Sequence, residues 1–158
     1  MSIKLLSAGL LVLLAPGQAT AGSWTPQEMV AAHNLYRTQV GVPSLHWSGS
    51  LAARAQQWAN TLIQRRTFAP RRDGLFGENL YEVVNGRATP AEVLKAWVSE
   101  KANYRYDSNS CSARCGHYTQ VIWRDTKEVG CGVARDAQRE VWVCNYDPPG
   151  NVVGERPY

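Results

Sequence analysis

The chain has 158 residues, of which 44% are hydrophobic and 19% are charged, and its formal net charge is +4 at pH 7. This length gives one domain enough volume for a hydrophobic core. The sequence lacks arginine-rich runs interleaved with aromatic residues, so its mild positive charge does not indicate nucleic-acid binding. We therefore expect no nucleic-acid partner.

The first residues have the pattern of a secretory signal peptide. Lys4 supplies the positive charge, Leu5 to Ala15 the apolar run, and Ala19 to Ala21 the small residues of a cleavage site. A membrane-spanning helix needs roughly 20 apolar residues, so this run is too short for a transmembrane anchor. We predict a cleaved signal peptide over 1–21, a single domain over 22–158, and a secreted protein that is extracellular or, in a bacterium, periplasmic.

Two helix starts share one sequence pattern. Thr25 and Thr89 are each followed by proline, and a glutamate comes three positions after each threonine. Threonine at the cap, proline at the first helical position and glutamate at the third form a capping box. These starts predict helices from Thr25 to about Val40 and from Thr89 to about Tyr104, and an alanine-rich segment predicts another over 49–65.

The later part of the chain is rich in residues that favour β-strands. Valine, tyrosine and tryptophan predict four strands, with a hairpin turn at 137–140 between the last two: Leu80 to Val84, His117 to Trp123, Val129 to Arg135, and Val141 to Tyr146. Prolines and glycines over 148–158 predict a tail packed on the domain. Helices first and strands later predict an α+β domain.

Four cysteines lie in the second half of the chain, at Cys111, Cys115, Cys131 and Cys144. In a secreted protein an even number of cysteines predicts disulfides, here two bonds with three pairings open. The C-x-x-C spacing typical of zinc sites is missing, so a cysteine-bound zinc ion is not expected.

Four short strings mix glycine, polar and aromatic residues in an order that no helix or strand pattern requires: Ala32 to Arg37, Gly77 to Leu80, Gly116 to Trp123, and Cys144 to Asn151. In this order they resemble the signature strings of the CAP superfamily (cysteine-rich secretory proteins, antigen 5 and pathogenesis-related class 1 proteins). The chain is most similar to the plant-type pathogenesis-related branch, from about Thr25 to Tyr158. The resemblance implies a three-layer α-β-α sandwich with an antiparallel sheet in the second half of the domain.

The resemblance also implies the disulfide pairing: Cys111 with Cys115, and Cys131 with Cys144. In CAP proteins, residues at the positions of Glu78, Glu100 and His117 line a central cleft with a second histidine, and the four can hold a divalent metal such as zinc. The position of that second histidine corresponds to about Pro70, so the second histidine is missing from this chain. We therefore expect no required cofactor, and at most a weakly bound divalent metal at Glu78, Glu100 and His117. The alternative for Glu78 and His117 is a structural role, in which the two side chains satisfy each other and nearby backbone groups without a ligand.

Several other polar residues of the motifs are interpreted as structural. The resemblance assigns His33 a structural position in the first helix, and His46 lies in a variable segment, so neither replaces the missing histidine. Asn34 and Arg37 are expected to form a hydrogen-bonding pair that ties the first helix to the body of the domain. Asn79 is expected to anchor a turn or a neighbouring backbone.

These observations favour binding over catalysis, because the sequence shows no serine in a nucleophile-elbow string and its cysteines are expected to be paired. The leading hypothesis is a secreted CAP-domain protein that binds a sterol, another lipid or a host surface, in defence, virulence or interaction with other organisms. An apolar groove with rims at 70–76 and 84–88 would hold a lipid. The alternatives are a metal-dependent hydrolase using Glu78, Glu100 and His117, and an interaction module with a vestigial cleft and an extracellular protein partner.

Overall fold

Four α-helices and six β-strands follow one another in residues 23–158, the part of the chain that the computed structural model describes. The predicted signal peptide lies outside this range. The helices are α1 Pro26–Gln39, α2 Gly49–Arg65, α3 Pro90–Ser99 and α4 Gly116–Val121, and a 3-10 helix at Glu100–Asn103 follows α3. The strands are β1 His46–Trp47, β2 Gly77–Val84, β3 Tyr104–Arg105, β4 Ser110–Cys111, β5 Glu128–Arg135 and β6 Arg139–Asp147. Within the described range, no helix combines the length and the apolar character needed to cross a bilayer.

Both predicted capping boxes are present. The Thr25 hydroxyl accepts a hydrogen bond from the Glu28 N–H at 3.2 Å, and the Glu28 carboxylate accepts one from the Thr25 N–H at 2.7 Å. Thr89 and Glu92 repeat the arrangement at 3.3 and 2.8 Å. Because these bonds satisfy N–H groups that the first helical turn leaves without partners, local sequence is enough to set both helix starts.

The main sheet has the strand order β1-β5-β6-β2, and β3 pairs with β4 in a separate hairpin. β6 runs antiparallel to both β5 and β2. β1 is parallel to β5, so the sheet is not wholly antiparallel, and two of its strands come from the first half of the domain. The turn between β5 and β6 also comes earlier than predicted: Asp136 Oδ1 accepts the N–H groups of Gln138 and Arg139, and β6 begins at Arg139.

Helix α2 covers one face of the sheet. Small and apolar side chains of α2 pack against those of β2, β5 and β6. Together they form one cluster: Ala55, Ala59 and Leu62 from the helix, and Leu80, Ala134, Val141 and Val143 from the strands. Gly130 and Gly132 lie beneath the helix, and a Cβ atom at either would come within 3.0 Å of α2 backbone atoms. Alanine in the helix and glycine in the strand therefore allow the two backbones to approach closely.

Helices α1, α3 and α4 cover the opposite face. The larger part of the core lies here, built around aromatic side chains that are at most 2% exposed: Trp97, Tyr118, Trp142 and Tyr146. The α+β class and the three-layer arrangement implied by the family resemblance are thus confirmed.

The segment from His117 to Trp123 was predicted as a strand, and that prediction is wrong, because residues 116–121 form α4. Tyrosine, threonine, valine and isoleucine favour strands, but a strand with one solvent face alternates buried and exposed side chains. All six side chains from Tyr118 to Trp123 are buried, where α4 contacts α1, α3 and β2. Burial on every side therefore outweighs the strand propensity of these residues.

Both disulfides implied by the resemblance are present. Cys131 and Cys144 are opposite each other on β5 and β6, with Cα atoms 4.0 Å apart. Cys111 and Cys115 connect β4 to the residue before α4. No free cysteine remains among residues 23–158.

We expect removal of the Cys131–Cys144 bond by the double substitution to alanine to lower the free energy of unfolding by about 2–5 kcal/mol. Both cysteines are buried in the core, at 3% and 0% exposure, and the bond closes the longer loop. The Cys111–Cys115 pair is the matched control, because it spans only 4 residues and Cys111 is exposed. Urea denaturation of both double variants would measure the difference, and an equal or larger loss in the control would contradict the prediction.

The C-terminal tail packs on the domain, as predicted. The Arg124 N–H donates to the Pro157 carbonyl at 2.7 Å, and Pro157 is buried. The Tyr158 ring stacks on Tyr106 of the β3–β4 hairpin, with ring centroids 4.9 Å apart. The tail is therefore part of the folded domain.

Candidate functional site

A cleft of about 470 Å³ opens beside β2, between the segment that follows α2 and the N-terminal end of α4. Two of the three predicted site residues, Glu78 and His117, line it, and so does Pro70, near which the resemblance puts the missing family histidine. Glu100 is not a lining residue. The full lining is Phe68, Ala69, Pro70, Glu78, Asn79, Leu80, Arg114, Gly116, His117 and Asn151.

His117 is held by the carboxylate of Glu100. Its Nδ1–H donates to Glu100 Oε1 at 2.7 Å, and its backbone N–H donates to Glu100 Oε2 at 2.9 Å. The ring also stacks on Trp97, with centroids 6.3 Å apart and planes 18° from parallel. Because the Glu100 carboxylate accepts the hydrogen of Nδ1, Nε2 is the ring nitrogen of His117 that is available to a ligand. Glu100 thus acts as a positioning residue for the His117 ring.

Glu78 is bound to a different part of the structure. Its Oε1 accepts the Arg71 N–H at 2.8 Å, and its Oε2 lies 3.4 Å from the side-chain nitrogen of Asn145. Burial raises the pKa of Glu78, and these two hydrogen bonds oppose the rise. The Glu78 carboxylate therefore anchors the segment after α2 to the sheet and contributes one acidic group to the cleft wall.

The three predicted ligands do not converge on one point. Both Glu100 oxygens accept from His117, and both Glu78 oxygens accept from other groups. Across the described part of the chain, no group of three or more histidine, cysteine, aspartate or glutamate side chains is arranged to hold a metal ion. Zinc needs ligand atoms that all lie about 2.0–2.2 Å from the ion. This arrangement does not fit the metal implied by the resemblance.

A chain of hydrogen bonds runs from α1 to the cleft. His33 Nδ1 donates to the Met29 carbonyl at 2.8 Å, which leaves Nε2 to accept from the Tyr146 hydroxyl at 2.9 Å. The Asn79 side chain donates to the Tyr146 hydroxyl at 3.3 Å and to the His117 carbonyl at 3.1 Å. His33 is therefore structural, as expected, and Asn79 anchors a neighbouring backbone from within β2 rather than from a turn.

This network predicts acid sensitivity: the free energy of unfolding should fall by about 3 kcal/mol as the pH drops through the window set by His33. Burial lowers the pKa of His33 from 6.5 to about 4. The unfolded chain therefore binds a proton near pH 6.5, whereas the folded chain does so only near 4. The stability is fully present above pH 6.5 and is lost as the pH falls toward 4.

Denaturant unfolding at several pH values in this window would measure the effect. Glu78 acts in the opposite direction, because its pKa is raised in the folded state, so the net slope is smaller than that of His33 alone. A His33→Gln variant should be less stable but should lose most of the slope. An unchanged slope in that variant would show that another group titrates.

The remaining predicted positions lie elsewhere. Asn34 and Arg37 both tie α1 to the domain, through bonds to backbone groups rather than to each other. His46 is exposed on β1 and does not line the cleft. Pro70 of the first predicted rim lines the cleft, whereas no residue of 84–88 does.

Arg114 and Asn151 are cleft residues that sequence reasoning missed. Asn151 ends the fourth motif, and its side chain joins α4 by accepting from Thr119 at 2.6 Å and donating to the Gly116 carbonyl at 2.9 Å. Its place in that motif was a usable signal. Arg114 carried no comparable signal, because it lies outside the four motifs; it reaches the cleft between Cys111 and α4, where the Asn103 side chain donates to its carbonyl at 2.8 Å.

Comparisons with known proteins agree with this fold and these motifs. The sequence model of the Cysteine-rich secretory protein family, CAP, matches residues 30–146. Pathogenesis-related protein 1 of Arabidopsis thaliana is 43% identical over 133 residues, which cover 84% of this chain and 81% of that protein. Pathogenesis-related protein 1A of Nicotiana tabacum is 41% identical over 157 residues, covering 98% and 93%.

A solved structure supports the same assignment. Venom allergen-like protein 4 of Schistosoma mansoni superposes with a TM-score of 0.68 at 28% identity, over 84% of this chain and 92% of that chain. The family-model range of 30–146 contains every element from β1 to β5 and most of α1 and β6, together with Glu78, Glu100 and His117. The chain belongs to the CAP family of cysteine-rich secretory proteins.

Proposed function

We propose that this protein is secreted and binds a sterol or another lipid in the cleft beside β2, without catalysing a reaction, in defence, virulence or interaction with other organisms. Its similarity to pathogenesis-related proteins of plants supports a role in defence. The proposal needs no cofactor and assigns Glu78 and His117 as ligand-contacting residues, with Glu100 positioning His117. The predicted signal peptide supports release from the cell.

The observation that supports lipid binding is the mixed lining of the cleft. Its apolar lining residues are Phe68, Ala69, Pro70 and Leu80, and its polar lining residues are Glu78, Asn79, Arg114, His117 and Asn151. A sterol has one hydroxyl group on a rigid apolar body, and such a ligand needs an apolar surface with a few polar groups at one end. The volume of about 470 Å³ lies within the usual range of about 300–1,000 Å³ for small-molecule sites.

Titration with a fluorescent sterol would test the proposal. Ala69→Trp adds a large side chain at an apolar lining residue of the cleft and should weaken binding at least roughly tenfold, since a clash or lost apolar contact of this size exceeds about 1.4 kcal/mol. His117→Ala should weaken it less, because it removes one polar contact. Failure of the wild-type protein to bind sterols or fatty acids would refute the proposal and favour a protein-interaction module.

A matched control comes from a second groove, of about 450 Å³, between α1 and α3, which is lined mainly by Ala31, Ala32, Leu35 and Pro90. Ala31→Trp fills this groove with the same side chain that Ala69→Trp adds to the cleft. The cleft proposal expects Ala31→Trp to bind sterol normally. Loss of binding in Ala31→Trp, with normal binding in Ala69→Trp, would place the ligand between the helices instead.

The metal-dependent hydrolase has less support. Metal-assisted hydrolysis needs a metal with an open coordination position, and the two carboxylates assigned to it are both engaged in other hydrogen bonds. Pro70, which replaces the second family histidine, adds a wall residue with no donor or acceptor in its side chain. The same substitution makes the cleft more apolar, which suits a lipid.

A further inference from the structure

We propose that residues 65–76, which end α2 and join it to β2, form a strip that docks on the surface of a membrane rich in anionic lipid. We call these residues the docking strip. The docking strip determines which surface the protein binds, whatever occupies the cleft. This proposal rests on the proposed function in one respect only: a protein docked on a membrane could take a lipid from it into the cleft.

The strip is held in place along α2. The Trp58 indole donates to the Ala69 carbonyl at 3.0 Å, Arg71 Nη1 donates to Gln57 Oε1 at 3.2 Å, and Arg54 forms an ion pair with Asp73. These contacts run from the C-terminal half of α2 back toward its N-terminal half. The chain therefore lies antiparallel to the helix, with one side fixed and the other facing solvent.

Apolar side chains stand on the solvent side. Phe68 is 47% exposed and Leu75 is 63% exposed, and Pro70 is exposed between them. Leu75 follows Gly74, whose φ of +64° lets the backbone turn outward at this end of the strip. Exposed apolar groups carry such a proposal only when charged groups surround them, and the arginines of the strip do so.

Arginines flank these apolar groups. Arg65, Arg66 and Arg72 are exposed, and none of them forms a salt bridge within the described residues. Asp73 is the only carboxylate in the strip, and it is paired with Arg54 and with Arg71, the latter at 3.0 Å. The strip therefore presents uncompensated positive charge to solvent.

One acidic residue lies close to Arg66 on the adjoining hairpin. The backbone N–H groups of Gln138 and Arg139 lower the pKa of Asp136, and Arg66 adds a weaker effect in the same direction. Asp136 is thus already hydrogen-bonded to two backbone groups. Asp136 reduces the positive electrostatic potential near Arg66. Arg65 and Arg72 form no ion pair among the described residues.

Cationic and apolar groups on one surface match the interface of an anionic bilayer. Arginine binds lipid phosphates through its planar guanidinium, and leucine and phenylalanine insert beside the headgroups. Phe68 is the one large aromatic side chain exposed in the strip, so single-stranded nucleic acid, whose successive bases stack on several aromatic rings, fits less well. Phe68, Ala69 and Pro70 belong to both the strip and the cleft wall, so docking would bring the cleft to the membrane surface.

Vesicle co-sedimentation tests the proposal directly, with vesicles of phosphatidylcholine alone and of phosphatidylcholine mixed with phosphatidylserine. The wild-type protein should bind the mixed vesicles and not the neutral ones. The variant Arg65→Gln/Arg66→Asn/Arg72→Gln should bind the mixed vesicles roughly a hundredfold more weakly, since each cation near such a surface contributes about fivefold. Asparagine is used at Arg66 because that residue has φ 51°, which asparagine tolerates.

Two matched controls separate the strip from general charge and general hydrophobicity. Lys95→Gln/Lys101→Gln/Lys127→Gln removes three exposed charges outside the strip and should lose no more than a few-fold in affinity. Leu75→Ser should weaken binding roughly tenfold by removing an inserting side chain. Leu35→Ser, at 61% exposure on α1, should leave binding unchanged.

Equal losses in the lysine and arginine triple variants, or equal binding to both kinds of vesicle, would overturn the proposal. So would tighter binding of the wild type to a short RNA than to the mixed vesicles. Sterol titration in solution, without vesicles, separates this proposal from the proposed function. The arginine variant should keep its sterol affinity, and a wild type that docks but binds no sterol would refute the proposed function alone.

Discussion

Replacing Arg37 with methionine is expected to lower the free energy of unfolding by about 3–5 kcal/mol. The Arg37 side chain is fully buried, and burial lowers its pKa only to about 10, so it remains charged at neutral pH. Its N–H groups donate to five backbone carbonyls at 2.7–3.4 Å: Pro43, Val121, Trp123, Arg124 and Thr126. Arginine has five N–H donors, so the set is fully used.

Methionine keeps much of the length of Arg37 but leaves these buried carbonyls without donors. Lysine keeps the charge and has only three donors on one nitrogen, so Arg37→Lys should also be destabilised, by about 2 kcal/mol. Urea denaturation monitored by far-UV circular dichroism would measure both variants. Arg105→Met, at an exposed position on β3, is the matched control and should change stability by less than about 0.5 kcal/mol. A loss below about 1 kcal/mol in Arg37→Met would contradict this account.

Replacing Glu140 with glutamine is expected to lower the free energy of unfolding by about 3 kcal/mol. The Glu140 side chain is fully buried at the start of β6. Its Oε1 accepts from the Ala88 N–H at 2.8 Å and from the Trp142 indole at 2.6 Å. Its Oε2 accepts from Arg135 Nε at 2.5 Å, with Arg87 Nε at 3.7 Å. Glutamine removes the negative charge that Arg87 and Arg135 pair with. It also replaces one of the two acceptor oxygens with an N–H₂ group.

Glu82→Gln is the matched control for Glu140→Gln. Glu82 pairs with Arg139, but their side chains are 24% and 17% exposed, so water can replace the lost interaction and the loss should be about 1 kcal/mol or less. Thermal unfolding would compare the two variants. Because Ala88 precedes the Thr89 helix cap, Glu140→Gln should also loosen the start of α3. Similar losses in the two variants would show that burial does not set the strength of the Glu140 pair.

Local sequence determined the parts of this fold whose interactions are close in the chain. The capping boxes at Thr25 and Thr89 use atoms three residues apart, so both helix starts could be predicted from a few letters. The bounds of α2 followed from its helical spacing of apolar residues. The disulfide pairing and the α-β-α layers came from the motif resemblance, because spacing alone left three pairings open.

The tertiary structure decided what depends on distant neighbours. The residues of α4 favour a strand, and they form a helix because the surrounding elements bury every side chain from Tyr118 to Trp123. The same holds for the site. Sequence named Glu78, Glu100 and His117, but only the fold shows that Glu100 is bound to His117 while Glu78 is bound to Arg71. Hydrogen-bond partners of buried polar groups are chosen by packing across the chain, because burial removes the water that would otherwise satisfy them.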